Sequence, residues 1–127
     1  MNNKRQILCV EDDAAILMPL RYALEREDWQ VSWASTGLQA IQMLQQQDFD
    51  FIILDVGLPD LNGFEVCNLL KANPATASIP IIFVTARTDD ISLGFSVGGN
   101  DYISKPVDKA ALMKVLEKVM AATRKSP

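Results

Sequence analysis

Histidine is absent from this 127-residue chain. That excludes Ser-His-Asp and Cys-His catalysis, histidine-ligated metal sites and a role as a phosphohistidine carrier. Cysteine is scarce: Cys9 and Cys67 are far apart, each within an apolar run. Two separated cysteines make neither a zinc site nor a disulfide framework, so both read as buried thiols in a reducing compartment. No apolar run approaches the ~20 residues of a membrane span. The polar start, Met1 to Gln6, lacks the character of a secretory signal. A cytoplasmic location away from membranes is expected. Basic residues are the minority, 12 against 16 acidic, for a formal charge of −4. Non-specific nucleic-acid binding needs a cationic face, so direct binding by this domain is disfavoured.

What is present is an ordinary globular composition, 49% hydrophobic and 22% charged. Residues 1–127 read as a single domain, with a core over about 6–121 and a polar tail at 122–127. Short β-type runs alternate with longer helical ones. Ile7-Leu8-Cys9-Val10, Phe51-Ile52-Ile53-Leu54 and Ile81-Ile82-Phe83-Val84 are continuously apolar, as strands covered on both faces are. Trp29 to Trp33 alternates with period 2 and reads as an edge strand. Tyr102-Ile103 begins a short fifth strand. Asp13 is a plausible cap for a helix carrying Ile16, Leu20, Ala23 and Leu24, in which Pro19 predicts a kink or a late start. Thr36 opens a second helix through Leu44, and a third runs from Phe64 to about Asn73. Asp89 or Asp90 caps a fourth that stops at Gly98-Gly99, and Asp108 caps the last. Strand–helix alternation of this kind implies right-handed crossovers and a parallel sheet with helices on both faces.

Open parallel sheets place their sites beyond the carboxyl ends of the strands, where strand order reverses. Glu11, Asp12 and Asp13 follow the first strand, Asp55 ends the third, Thr85 ends the fourth, and Lys105 and Pro106 follow the fifth. In the doubly wound order 2-1-3-4-5, strands one, three, four and five are contiguous, so carboxylates, a hydroxyl and an ammonium converge on one rim. Clustered carboxylates either raise a pKa or recruit a divalent cation. Hard oxygen donors favour Mg²⁺ over zinc. Lys105 would supply a point charge for a phosphate oxygen, a contact with a Coulomb term of about 4 kcal/mol before desolvation, taking a separation of about 4 Å and an effective dielectric of about 20. Thr85 can donate its hydroxyl hydrogen to another oxygen. An aspartate so placed can attack phosphorus and form an acyl phosphate.

Four segments in order resemble the receiver domain of response regulators in two-component phosphorelays. They are Ile7 to Asp13, Leu54 to Asp60 with Asn62-Gly63, Val84-Thr85-Ala86, and Gly98 to Pro106. The resemblance covers roughly Gln6 to Met120 and implies a flavodoxin-like (βα)5 α/β fold. It implies that Asp55 accepts a phosphoryl group from a partner's phosphohistidine. Asp12, Asp55 and the backbone carbonyl of Gly57 would ligate Mg²⁺, with Glu11 acting through water. Lys105 would pair with the phosphoryl group, and the Lys105–Pro106 peptide would be cis. Thr85 and Tyr102 would form the switch pair, and Asp13 would be a helix cap. The implied partners are a sensor histidine kinase or phosphotransfer protein and a downstream effector or fused output domain. The output surface would be the fourth helix, fifth strand and last helix, around Ile91, Phe95, Tyr102 and Lys114. Such a domain is not an enzyme toward other substrates; it catalyses only its own phosphorylation and dephosphorylation.

The sequence departs from that pattern in places. Gly99 and Asn100 replace a usual alanine and aspartate, which predicts a looser end to the fourth helix. Val107 stands where an aromatic is frequent, and Trp33 where a polar residue is common; Trp33 marks either a contact surface or a residue that fills the sheet rim, the second being favoured. Gly57 leaves space near Asp55, whereas Arg87 is placed to cover it. The loop Asp55 to Pro59 resembles receivers joined to winged-helix DNA-binding domains, but the last helix lacks their arginine-rich pattern. A single-domain regulator and a piece of a longer protein both fit. Three competing functions differ in testable ways. A haloacid-dehalogenase-type phosphatase would need an acid two residues after Asp55, where Gly57 stands. A phosphorylation-independent receiver-like binding module would usually lack part of the acid–lysine set. A flavodoxin would need glycine and hydroxyl donors after the first strand, where this chain is acidic.

Overall fold

The computed structural model describes residues 5–86, 96 and 98–124. Five parallel strands form one sheet in the order β2-β1-β3-β4-β5. They are β1 (Arg5–Val10), β2 (Trp29–Ala34), β3 (Phe51–Asp55), β4 (Ile81–Thr85) and β5 (Asp101–Ser104). The described helices are α1 (Ala14–Arg26), α2 (Gly37–Gln46), α3 (Gly63–Ala72) and α4 (Lys109–Arg124). The expected caps Asp89 and Asp90, the output residues Ile91 and Phe95, and Arg87 lie outside the described residues.

The pleat explains why the central strands are apolar throughout. In β1, Ile7 and Cys9 join one core cluster, and Leu8 and Val10 join the other. The first cluster lies under α1 and α4, with Leu17, Leu20, Leu24, Leu112 and Leu116. The second lies under α2 and α3, with Ala40, Leu44, Phe64, Val66 and Leu70. Every residue of β3 and β4 is buried. Each such leucine or isoleucine contributes about 1.5–3 kcal/mol relative to exposure. Edge-on aromatic pairs add to the packing: Trp29 of β2 with Phe51 of β3 at 5.5 Å within the sheet, and Phe64 of α3 with Phe83 of β4 at 5.0 Å between helix and sheet. Cys9 and Cys67 are both buried and outside any disulfide, and burial pushes their thiols up to about 12 and about 11.

Local chemistry sets the helix starts. Asp13 Oδ1 accepts from the Ala15 N–H (2.9 Å), Thr36 Oγ1 from Gln39 (3.0 Å) and Asp108 Oδ2 from Ala111 (3.0 Å). Asn62 and Glu65 form a capping box at α3. One expectation is narrowed and one is corrected. The helix containing Pro19 has no late start: it begins at Ala14, directly after its Asp13 cap, and runs on through the proline. Trp33 does not fill the rim. It is 44% exposed on the edge strand, with the Arg21 guanidinium 4.3 Å above its ring. Asn100 clasps the start of β4, bonding the Ile81 backbone in both directions.

Candidate phosphoryl and metal site

The site is assembled where the strands end. Glu11 is the first residue beyond β1. Its N–H donates to the Ala34 carbonyl (3.0 Å), extending the β1–β2 ladder by one bond, and its side chain is buried. The Asp13 N–H donates to Glu11 Oε2 (3.2 Å), fixing that carboxylate from behind. Asp12 between them is exposed, and Asp13 turns away to cap α1. Asp55, the last residue of β3, is 3% exposed. Its Oδ1 accepts from the Gly57 N–H (3.2 Å).

The loop after Asp55 folds back tightly. The Gly63 N–H donates to the Val56 carbonyl (2.9 Å). A Cβ on Gly63 would stand 2.4 Å from the Asp55 carbonyl oxygen, so only glycine permits this approach. A Cβ on Gly57 would meet nothing within 4 Å, in keeping with the space expected there.

Lys105 reaches the acids from beyond β5. Its N–H donates to the Thr85 carbonyl (2.8 Å), which carries the chain back over the rim. Its Nζ lies 3.0 Å from Asp55 Oδ1 and 3.4 Å from Glu11 Oε1. The Lys105–Pro106 peptide is cis. Thr85 is buried at the end of β4, and Tyr102 is half-buried against the α2–α3 cluster, its backbone in register with Phe83.

Electrostatics follow from this packing. Burial pushes the Glu11 carboxyl up to about 7, helped by the neighbouring Asp55 and opposed by the Asp13 N–H and Lys105. Burial alone would lower Lys105, but its hydrogen bond to Asp55 and the charges of Asp55 and Glu11 outweigh that and raise it. Glu11, Asp12 and Asp55 each present an oxygen within 4.8 Å of the others. Lys105 faces two of these three carboxylates, Glu11 and Asp55, and every acidic donor is a hard oxygen, so the set fits Mg²⁺.

One residue of this region was missed as a working part. In the sequence Asp60 is only one of the polar residues in the loop after Asp55. Its Oδ1 and Oδ2 accept from the Gly37 and Leu38 N–H groups (2.8 and 3.0 Å) at the start of α2. Those two donors hold its carboxyl below the usual range. No local signal announces a contact spanning more than twenty residues.

The Response regulator receiver domain family model matches residues 7–117. The transcriptional regulatory protein AfsQ1 of Streptomyces coelicolor is 41% identical over 108 residues, 84% of this chain and 47% of that protein. CreB of Escherichia coli is 39% identical over 106 residues, 81% of this chain and 45% of that protein. The chain thus spans about half the length of these curated relatives. Among solved structures, the chemotaxis response regulator CheY4 of Vibrio cholerae superposes with a TM-score of 0.87 at 28% identity, covering 92% of this chain and 99% of that one. The receiver domain of the sensor histidine kinase PA1611 of Pseudomonas aeruginosa gives 0.84 at 28% identity, covering 93% and 98%; that structure has a magnesium ion coordinated in its active-site cleft. Among the described residues no helix is long and apolar enough to cross a membrane.

Proposed function

The chain belongs to the response-regulator receiver family of two-component signalling, and from that premise we propose that it is a phosphoacceptor switch with Asp55 as the acceptor. The carrying observation is the Lys105 ammonium within reach of both Asp55 Oδ1 and Glu11 Oε1, two of the three carboxylates gathered at this rim. A carboxylate oxygen of Asp55 attacks the phosphorus of a kinase or phosphotransfer phosphohistidine. The P–N bond breaks, an acyl phosphate forms, and the imidazole leaves with the electron pair. Asp12, Asp55 and the Gly57 carbonyl would hold Mg²⁺, with Glu11 acting through water. The bound cation supplies charge neutralisation for the phosphoryl oxygens. Lys105 already faces Asp55 and pairs with a phosphoryl oxygen after transfer.

The signal leaves through Thr85 and Tyr102. The hydroxyl follows the new phosphoryl oxygens, and the ring moves into the space beside the sheet edge. Phosphorylation then biases a two-state equilibrium whose output face includes β5 and α4, with Tyr102 half-buried and Lys114 exposed. Reversing a 1:99 population requires a bias of about 5.5 kcal/mol. The domain acts on no substrate but itself. It works in the cytoplasm as one domain over residues 1–127, with a downstream effector or a fused output domain as its target. The curated relatives, transcriptional regulators about twice as long, support the second arrangement.

The test is intact mass after incubation with Mg²⁺ and acetyl phosphate, for wild type and Asp55→Ala. The expected result is one added phosphoryl group in wild type alone. Uptake by Asp55→Ala would move the acceptor elsewhere. No uptake by wild type, even from a phosphorylated kinase, would leave a binding module that keeps an acidic site.

A further inference from the structure

The loop that leaves the acidic site is anchored far from it. Asp60 spends both carboxylate oxygens on the first turn of α2, accepting from Gly37 at 2.8 Å and Leu38 at 3.0 Å. Helix α2 does not lack a cap of its own, because Thr36 Oγ1 already takes the Gln39 N–H at 3.0 Å. Two donors that a helix start leaves without intrahelical partners therefore serve to hold another segment. The approach is close: a Cβ on Gly37 would meet Val66 Cγ2 at 2.8 Å and Leu61 Cβ at 3.2 Å.

The anchored segment leads straight back to the chemistry. Only Leu58 and Pro59 separate Asp60 from Gly57, and proline fixes its own φ. The Gly57 N–H donates to Asp55 Oδ1 at 3.2 Å, the oxygen that also faces Lys105 Nζ at 3.0 Å. At its far end the loop is closed by the Gly63–Val56 bond and the Asn62–Glu65 capping box. Between those fixed ends, Asp60 is the side chain that ties the loop to a neighbouring helix.

Resting on the receiver reading above, we propose that Asp60 is a positioning residue of the acidic site. By tying the loop to α2 it keeps the Gly57 backbone against Asp55, and so holds that carboxylate in the orientation that takes Mg²⁺ and the phosphoryl group. The competing account is that Asp60 merely stabilises the start of α2. The two accounts part on a control, Thr36→Ala, which weakens the same helix start and leaves the loop alone.

The experiment compares wild type, Asp60→Ala, Asp60→Asn and Thr36→Ala. Mg²⁺ affinity is measured by calorimetric titration, thermal midpoint by circular dichroism, and the Gly57 amide by nuclear magnetic resonance. Asp60→Ala is expected to weaken Mg²⁺ binding by about tenfold, the size typical of lost support around a metal ligand, and to move the Gly57 resonance. Asp60→Asn, which keeps one acceptor oxygen, falls between; it also carries the test if the alanine variant does not fold. Thr36→Ala lowers the thermal midpoint but binds Mg²⁺ like wild type. Wild-type affinity in both Asp60 variants, or equal weakening in Thr36→Ala, overturns the proposal. If wild type itself binds no Mg²⁺ and takes no phosphoryl group, the receiver reading of the site fails. The Gly57 resonance then judges the tie alone, and an unmoved resonance in Asp60→Ala removes it.

Discussion

Asn100 and Ile81 hold each other by a reciprocal pair of hydrogen bonds. The Asn100 N–H donates to the Ile81 carbonyl at 2.8 Å, and Asn100 Oδ1 accepts from the Ile81 N–H at 2.9 Å. Ile81 opens a fully buried strand, so its N–H has no access to water. Asn100→Ala is expected to destabilise the domain by about 1–3 kcal/mol, the cost of an unsatisfied buried donor. Asn100→Asp keeps the acceptor and should lose much less. Urea unfolding of both variants checks this.

The acidic site makes stability depend on pH in a definite direction. Glu11 has an ordinary value of 4.5 and a folded value of about 7. Between those values the folded state binds more protons than the unfolded one, so stability falls as pH rises and levels off above about 7. Lys105 is raised from 10.5, so its contribution is lost only above that value, outside this window. Glu11→Gln should abolish the decline and leave the variant more stable than wild type at about pH 8 without metal. Thermal midpoints measured across that range decide it.

Mg²⁺ should act with the opposite pH profile. Ligand carboxylates must be deprotonated to bind it, so binding releases a proton wherever Glu11 is still protonated. The stabilisation by a fixed Mg²⁺ concentration is therefore expected to be larger at about pH 8 than at about pH 5.5, following the usual linkage of ligand binding to folding. Paired thermal scans with and without Mg²⁺ read the difference directly.

Two glycines in the Asp55 loop should respond oppositely to alanine. At Gly63 the new Cβ would fall 2.4 Å from the Asp55 carbonyl and 2.8 Å from Val56 Cα, and backbone cannot yield as a flexible side chain does. Gly63→Ala is expected to cost about 1–3 kcal/mol, as overpacking does, and to reduce Mg²⁺ affinity. At Gly57 the space is open. Gly57→Ala should stay within about 0.5 kcal/mol of wild type.

The two tryptophans should be distinguishable by fluorescence. Trp29 is 6% exposed and Trp33 is 44% exposed. Trp33→Phe is expected to leave a blue-shifted emission that iodide quenches poorly. Arg21→Ala removes the cation above the Trp33 ring and should cost no more than about 1 kcal/mol. By uncovering the ring it should also raise quenching by acrylamide, a neutral quencher, above that of wild type.

These responses separate what the sequence carries locally from what it does not. Three continuous apolar runs and one alternating run sufficed to place the central and edge strands, because covered and uncovered strands differ in period. Asp13, Thr36 and Asp108 could be read as caps because a cap acts within three residues. Glu11, Asp55, Thr85 and Lys105 were readable as a set because strand ends in such sheets converge. The Asp60–α2 tie, the Asn100–Ile81 clasp and the exposure of Trp33 depend on packing between distant segments, for which one sequence carries no local mark.

The strand order also sets which parts of the chain the site draws on. The first strand pairs with Trp29–Ala34 on one side and with Phe51–Leu54 on the other, so its second partner closes a much longer loop than its first. Such non-local parallel pairing is slow to form. Glu11, Asp12 and Asp55 can meet once the third strand has docked, whereas Lys105 arrives only behind the fifth. The anionic centre is thus drawn from strands in the first half of the chain, and the lysine that faces it comes from beyond the last strand, so a chain cut short of that strand would hold the acids without their cation.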